Sequence, residues 1–156
     1  MKVAFDTSVL IPALTPALPA HAESYAWVRA ALQGRVQGVM SWPAFAETWA
    51  VLTRLPIKPA PTPTAASDSL ASLRKAIRCL PLDERAYVAA VARCVDRGLR
   101  SGAIFDALHV VCAERARADV IVTANVSDFE RLVVSGGPRV VSCATSPEDA
   151  ARRPRR

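Results

Sequence analysis

Lys2-Val3-Ala4-Phe5-Asp6, at the start of the chain, decides how the rest is read. It is a short apolar run that stops at an acid. A strand in the middle of a parallel sheet reads this way, because helices cover both of its faces. Open α/β sheets carry out their chemistry beyond the carboxyl ends of their strands. Asp6 is therefore the first candidate site residue.

Outward from that strand, Pro12, Pro16 and Pro19 keep any following helix short. Residues 21–33 are expected to be helical and 36–41 to form a second strand. Ser41 or Trp42 opens another helix, running to about Leu55. Pro43 falls in its first turn, where the missing N–H costs nothing. Residues 56–63, PIKPAPTP, hold four prolines and read as a stiff loop between pieces too small to stand alone. A helix over 67–75, a strand over 77–80, and a helix from the N-cap Asp83 to about Gly98 come next. Ser101-Gly102 separates that helix from one over 103–118. A strand over 120–122, a short helix near 129–132 and a strand over 139–141 complete the series. Strands and helices alternate without an internal repeat, which predicts an α/β sandwich around a parallel sheet.

The chain has 156 residues, 51% hydrophobic and 22% charged, so a folded domain is expected and a disordered chain excluded. No apolar run approaches the roughly 18 residues of a membrane helix. MKVAFDTSVL meets Asp6 too early for a secretory signal. Cys79, Cys94, Cys112 and Cys143 form no CxxC pair and no zinc spacing, so reduced, mostly buried thiols in a cytoplasmic protein are expected. The net charge is +6, yet residues 1–150 carry 16 basic and 14 acidic residues. The excess sits in Arg152-Arg153-Pro154-Arg155-Arg156, giving a domain over 1–145 and a basic, loose tail over 146–156. Such a tail is a solubilising end or a phosphate-binding arm.

Three further acids join Asp6. Glu47 lies inside SWPAFAETWAVL, away from the Trp42, Phe45, Trp49, Leu52 stripe, which reads as core or a partner groove. Asp106 is enclosed in Ala103-Ile104-Phe105-Asp106-Ala107-Leu108, apolar on all sides. Asp128 follows the 120–122 strand. Taken singly, each has an ordinary reading: Asp6 or Asp128 as a turn or cap, Glu47 as a solvated helix residue, Asp106 as an acid buffered by a helix N-terminus. Together at one point they would repel by about 3 kcal/mol per pair at about 5 Å and an effective dielectric near 20. Such a group must take up protons or bind a cation. Carboxylate oxygens without Cys or convergent His select Mg²⁺ or Mn²⁺, and that ion chemistry suits phosphodiester hydrolysis. Spacing alone does not establish that the acids meet.

The matching segments are Phe5-Asp6-Thr7-Ser8, Ala46-Glu47-Thr48 with Leu52-Thr53-Arg54-Leu55-Pro56, Gly102-Ala103-Ile104-Phe105-Asp106-Ala107-Leu108-His109, and Val122-Thr123-Ala124-Asn125-Val126-Ser127-Asp128-Phe129. In this order, over residues 3–132, they resemble a PIN domain, and more closely the VapC-type toxins of bacterial toxin–antitoxin pairs. The resemblance implies a PIN-like three-layer sandwich with a five-stranded parallel sheet between helices. It implies an acidic site for one or two Mg²⁺ or Mn²⁺ ions and endonuclease action on single-stranded tRNA, rRNA or mRNA. It also implies a small antitoxin partner and a homodimer. Asp6, Glu47 and Asp106 match the family's three best-defined acids. Many relatives carry Asp where this chain has Asn125, while others have Asn there and use the Asp three residues later. Asp128 is accordingly taken as ligand or support, and Asn125 as a neutral contact. Thr7 and Ser8 are expected to hydrogen-bond the site or cap a helix, and Thr123 to touch phosphate or close the turn. His109 is read as packing or support. A PIN-like module that binds RNA or protein without cutting is the alternative; the low charge of the body argues against a DNA nuclease.

Overall fold

The computed structural model describes residues 1–152. In chain order the elements are β1 (Lys2–Phe5), α1 (Thr7–Ala13), α2 (His21–Leu32), β2 (Gln37–Ser41), α3 (Trp42–Leu52), α4 (Pro63–Leu73), β3 (Ile77–Leu80), α5 (Glu84–Asp96), α6 (Ala103–Arg115), β4 (Val120–Thr123), α7 (Val126–Glu130), β5 (Arg139–Ser142) and α8 (Pro147–Arg152). The five strands pair in parallel in the order β3-β2-β1-β4-β5. β1 is central, and the order reverses between it and β4. That crevice is where such sheets bind ligands.

Alternation along the strands divides the core in two. Val3, Phe5, Met40 and Val122 face one way, against Trp27, Leu70, Leu73 and Ala150. Ala4, Val39 and Ile121 face the other way, against Ala86, Ala90, Leu108 and Phe129. Helices thus cover both faces, in three layers. α6 is buried continuously from Ala107 to Ala113, as expected of a helix that is apolar all round. Its depth brings its first turn, with Asp106, to the carboxyl end of the sheet. Among the described residues no helix is long and apolar enough to cross a membrane. All four cysteines are free, and only Cys79 is not fully buried.

Several boundaries differ from the sequence expectations, each for a local reason. α4 begins at Pro63 because Thr62 caps it, its hydroxyl accepting from Ala65 N at 3.1 Å. α3 ends at Leu52, short of Leu55, and α7 starts at Val126, ahead of 129. Residues 147–152, expected as part of a loose tail, form α8. Ser146 Oγ accepts from Asp149 N, Ala150 is buried, and Arg139 donates to the Ala150 carbonyl at 2.7 Å. The Ser146-Pro147-Glu148-Asp149 cap is the signal for it. The rest of the basic tail, residues 153–156, lies outside the described residues. Of the Trp42, Phe45, Trp49, Leu52 stripe, Leu52 is buried and Phe45 packs against the core. Trp42 and Trp49 are each 40% exposed, so for them the core reading fails and the partner-groove reading is left. The buried face of α3 is Ala44, Thr48 and Leu52, and Arg74 lies over the Trp42 ring.

Candidate active site

Asp6 ends β1 and caps α1, with 2% of its surface exposed. A buried carboxylate needs donors, and hydroxyls supply them. Ser8 Oγ and Thr123 Oγ1 both donate to Oδ2, the latter at 2.8 Å, and Thr7 Oγ1 donates to Oδ1 at 3.3 Å. The Ser8 and Thr123 oxygens are themselves tied down, since Ala124 N donates to Ser8 Oγ and Asn125 N to Thr123 Oγ1, each at 2.9 Å. The turn after β4 therefore orients the acid that ends β1, across the crevice.

Glu47 reaches this point from α3, and its link to Asp6 is His109. The imidazole is buried on α6, stacked parallel to Phe129. Its Nε2 lies 3.7 Å from Asp6 Oδ1 and 3.5 Å from Glu47 Oε2. Glu47 Oε2 is buried and has no hydrogen-bond donor, so at 3.5 Å this is a contact of charge rather than a formed hydrogen bond. The charges still act on one another. Nearby His109 holds Glu47 below the usual carboxylate range against the opposing effect of burial, with Thr7 and Arg54 adding. Burial works against a charged His109, but Glu47, Asp6 and Asp106 outweigh it and raise its pKa.

Asp106 is pushed in the opposite direction, up to about 6, first by burial and next by the Asp6 carboxylate. His109 relieves it in part, while Asp128 and Glu47 add to the repulsion. Asp128 is exposed in the first turn of α7 and lines one cavity with Asp106. The Asn125 side chain is exposed and does not cap α7. The fold thus brings Asp6, Glu47 and Asp106 within reach of each other's charge and sets Asp128 at the edge. Sequence reading undervalues His109, which both packs and bridges two acids. Its position one turn after Asp106 is the available signal.

The donors suit a hard divalent cation: they are carboxylate oxygens, one of them buried without a partner, and Asp106 is under pressure to keep a proton. Among the described residues no three His, Cys, Asp or Glu side chains are gathered around one point. The acids stand near one another, short of a finished coordination sphere.

The PIN domain family matches residues 2–127. The chain belongs to the PIN-domain family. No curated protein matches it by sequence. Among solved structures, this PIN domain is similar to VapBC2 of Rickettsia felis bound to a promoter DNA fragment, with 14% identity, TM-score 0.66, and 91% of this chain and 98% of that one covered. It is similar to VapC20 of Mycobacterium tuberculosis, a sarcin-ricin loop cleaving toxin, with 17% identity, TM-score 0.66, and coverage of 87% and 99%. DNA-bound VapBC of Salmonella typhimurium matches with 21% identity, TM-score 0.59, and coverage of 92% and 98%. At these identities the likeness is one of fold, and the five-stranded parallel sheet between helices is the shared part.

Proposed function

We propose that this PIN domain is a Mg²⁺- or Mn²⁺-dependent endoribonuclease that cuts single-stranded RNA, acting as the toxin of a toxin–antitoxin pair. One observation carries the reading: at the β1/β4 crevice burial, and after it the charge of Asp6, with Asp128 and Glu47 adding, raise Asp106 to about 6, a crowding of carboxylates that a cation would relieve. Asp6, Glu47 and Asp106 would hold the ion, with Asp128 as a further ligand or support. When bound, the ion acidifies water and neutralises phosphodiester charge. The residues around it prepare that chemistry. Ser8 and Thr123 fix the Asp6 carboxyl in one orientation. His109 places its Nε2 between Asp6 and Glu47, 3.7 and 3.5 Å from their oxygens, and the two acids favour its charged form. A bound cation would favour the ionised form of Asp106, whose pKa burial and its neighbours raise.

The structural likeness to VapC20 and to VapBC complexes supports the toxin role and an antitoxin partner. A homodimer is supported by the outer face of α5, where Tyr87, Val88, Val91 and Val95 stay exposed. The alternative is a PIN-like module that binds RNA or protein without cutting. It is favoured by the neutral Asn125 and by the absence, among the described residues, of a gathered ligand set.

Purified, antitoxin-free protein offered single-stranded RNA, duplex RNA and flap DNA separates these readings. The nuclease cuts the single-stranded RNA in Mn²⁺ and stops in EDTA. Metal-independent RNA binding without a cut product supports the module instead.

A further inference from the structure

We infer that Arg100 and Arg131 form a phosphate-binding subsite for the RNA strand, beside the acids; the inference rests on the nuclease reading. The cavity that Asp106 and Asp128 line has a second wall made by these two arginines. Its volume is about 380 Å³, within the roughly 300–1,000 Å³ of ordinary ligand sites. The chain reverses between α5 and α6 through Gly98 and Ser101, both with positive φ (62° and 54°). Glycine adopts that conformation freely, whereas at Ser101 it is uncommon, and uncommon backbone of this kind gathers at functional sites. Arg100 lies between them on the rim. Arg131 approaches from the end of α7.

Three arginines elsewhere show the committed state, while Arg29, Arg78, Arg85 and Arg117 are, among the described residues, as unpaired as Arg100 and Arg131 but do not line this cavity. Arg93 holds Glu114 through two bonds of 2.8 and 2.9 Å, Arg115 holds Asp83, and Arg139 donates to the Ala150 carbonyl. Arg100 and Arg131 are exposed, and among the described residues neither guanidinium makes a hydrogen bond or ion pair. They do not even pair with the two carboxylates of their own cavity. Two unspent planar cations facing two acids suit a polyanion: the acids take the phosphodiester to be cut with its ion, and the guanidinium forks take a neighbouring phosphate. Contacts of this kind fix the strand's position and carry no base information.

The test measures binding of a labelled single-stranded RNA to the full chain in EDTA over a series of salt concentrations, beside steady-state cleavage in Mn²⁺. Arg100→Gln and Arg131→Gln each flatten the slope of log K against log salt by about 0.7 and weaken binding by about threefold. Both raise KM and leave kcat near its original value. Arg100→Lys restores the slope, because the charge returns. Arg29→Gln, at an exposed position on α2, changes neither quantity. Unaltered slope, affinity and KM in both variants of a protein that cuts RNA would overturn the subsite and leave the nuclease standing. A folded wild type that neither binds nor cuts RNA overturns both.

Discussion

β1 and β4 lie side by side, and each end of the pair carries an aspartate. At the amino end, Asp119 Oδ2 accepts from Lys2 N at 2.7 Å, and Lys2 Nζ donates to the Ala116 carbonyl at 2.7 Å. The acid there takes a backbone N–H and the ammonium a backbone carbonyl, and the result is a fastened edge. At the carboxyl end, Asp6 is held by three hydroxyls, which orient it without cancelling its charge. Glu47, Asp106 and Asp128 crowd the same end, and the His109 imidazole lies against two of the acids. The same residue type, a few residues apart in register, serves as a fastener at one end and as part of a crowded cluster at the other. What separates them is the crowding of further carboxylates at the carboxyl end.

Asp106→Asn breaks that contrast most, because it removes one of the repelling acids. Cleavage falls by on the order of 100-fold or more, as expected when a metal site loses a ligand, while the metal-free fold becomes more stable near neutral pH. The sign follows from the raised pKa: the fold favours neutral Asp106, so its contribution is complete below about pH 4 and is lost as pH rises through about 6. Discounted for partial exposure, the gain of the Asp106→Asn protein over wild type near neutrality is about 1 kcal/mol. Urea melts in EDTA, at acid and neutral pH, measure it; a wild type equally stable at both, relative to the variant, contradicts the raised pKa that burial and the neighbouring acids give Asp106.

The converse change is at the fastened end. Asp119→Ala costs about 2 kcal/mol of stability, the range for a hydrogen bond to a charged group, and leaves cleavage per folded molecule unchanged. The smallest effect is Asn125→Asp, which adds a carboxylate on an exposed turn. It should tighten Mn²⁺ binding by a few-fold in a calorimetric titration, as one exposed charge would, without altering the melt.

Much of this is legible in the residues. β1 and β3 fall where the apolar runs and the proline breaks put them, and Asp6, Glu47 and Asp106 stand out as acids in apolar surroundings. The meeting of those acids is not legible, because it depends on the strand order, and spacing along the chain does not encode which strands become neighbours. His109 reads as packing or support from the sequence, and its contact with Glu47 is hidden for the same reason, since Glu47 arrives from another helix. α8 is overshadowed by the arginines beyond it, although Ser146 and Asp149 mark its cap. The Trp42 and Trp49 stripe misleads because size suggests burial, whereas the small residues Ala44 and Thr48 give α3 its close contact.

As proposed, the carboxyl end of the sheet, where the acids crowd, is a metal-dependent cutting site, and the amino end at Asp119 is not. Cleavage of a tRNA pool by wild type, Asp6→Asn and Asp119→Asn, each in Mg²⁺ and in EDTA, tests it most directly. Wild type and folded Asp119→Asn protein should cut in Mg²⁺ and not in EDTA, while Asp6→Asn should fold and cut on the order of 100-fold more slowly or not at all. Equal cutting by the Asp6→Asn protein, or none by folded wild type on any RNA, would contradict it.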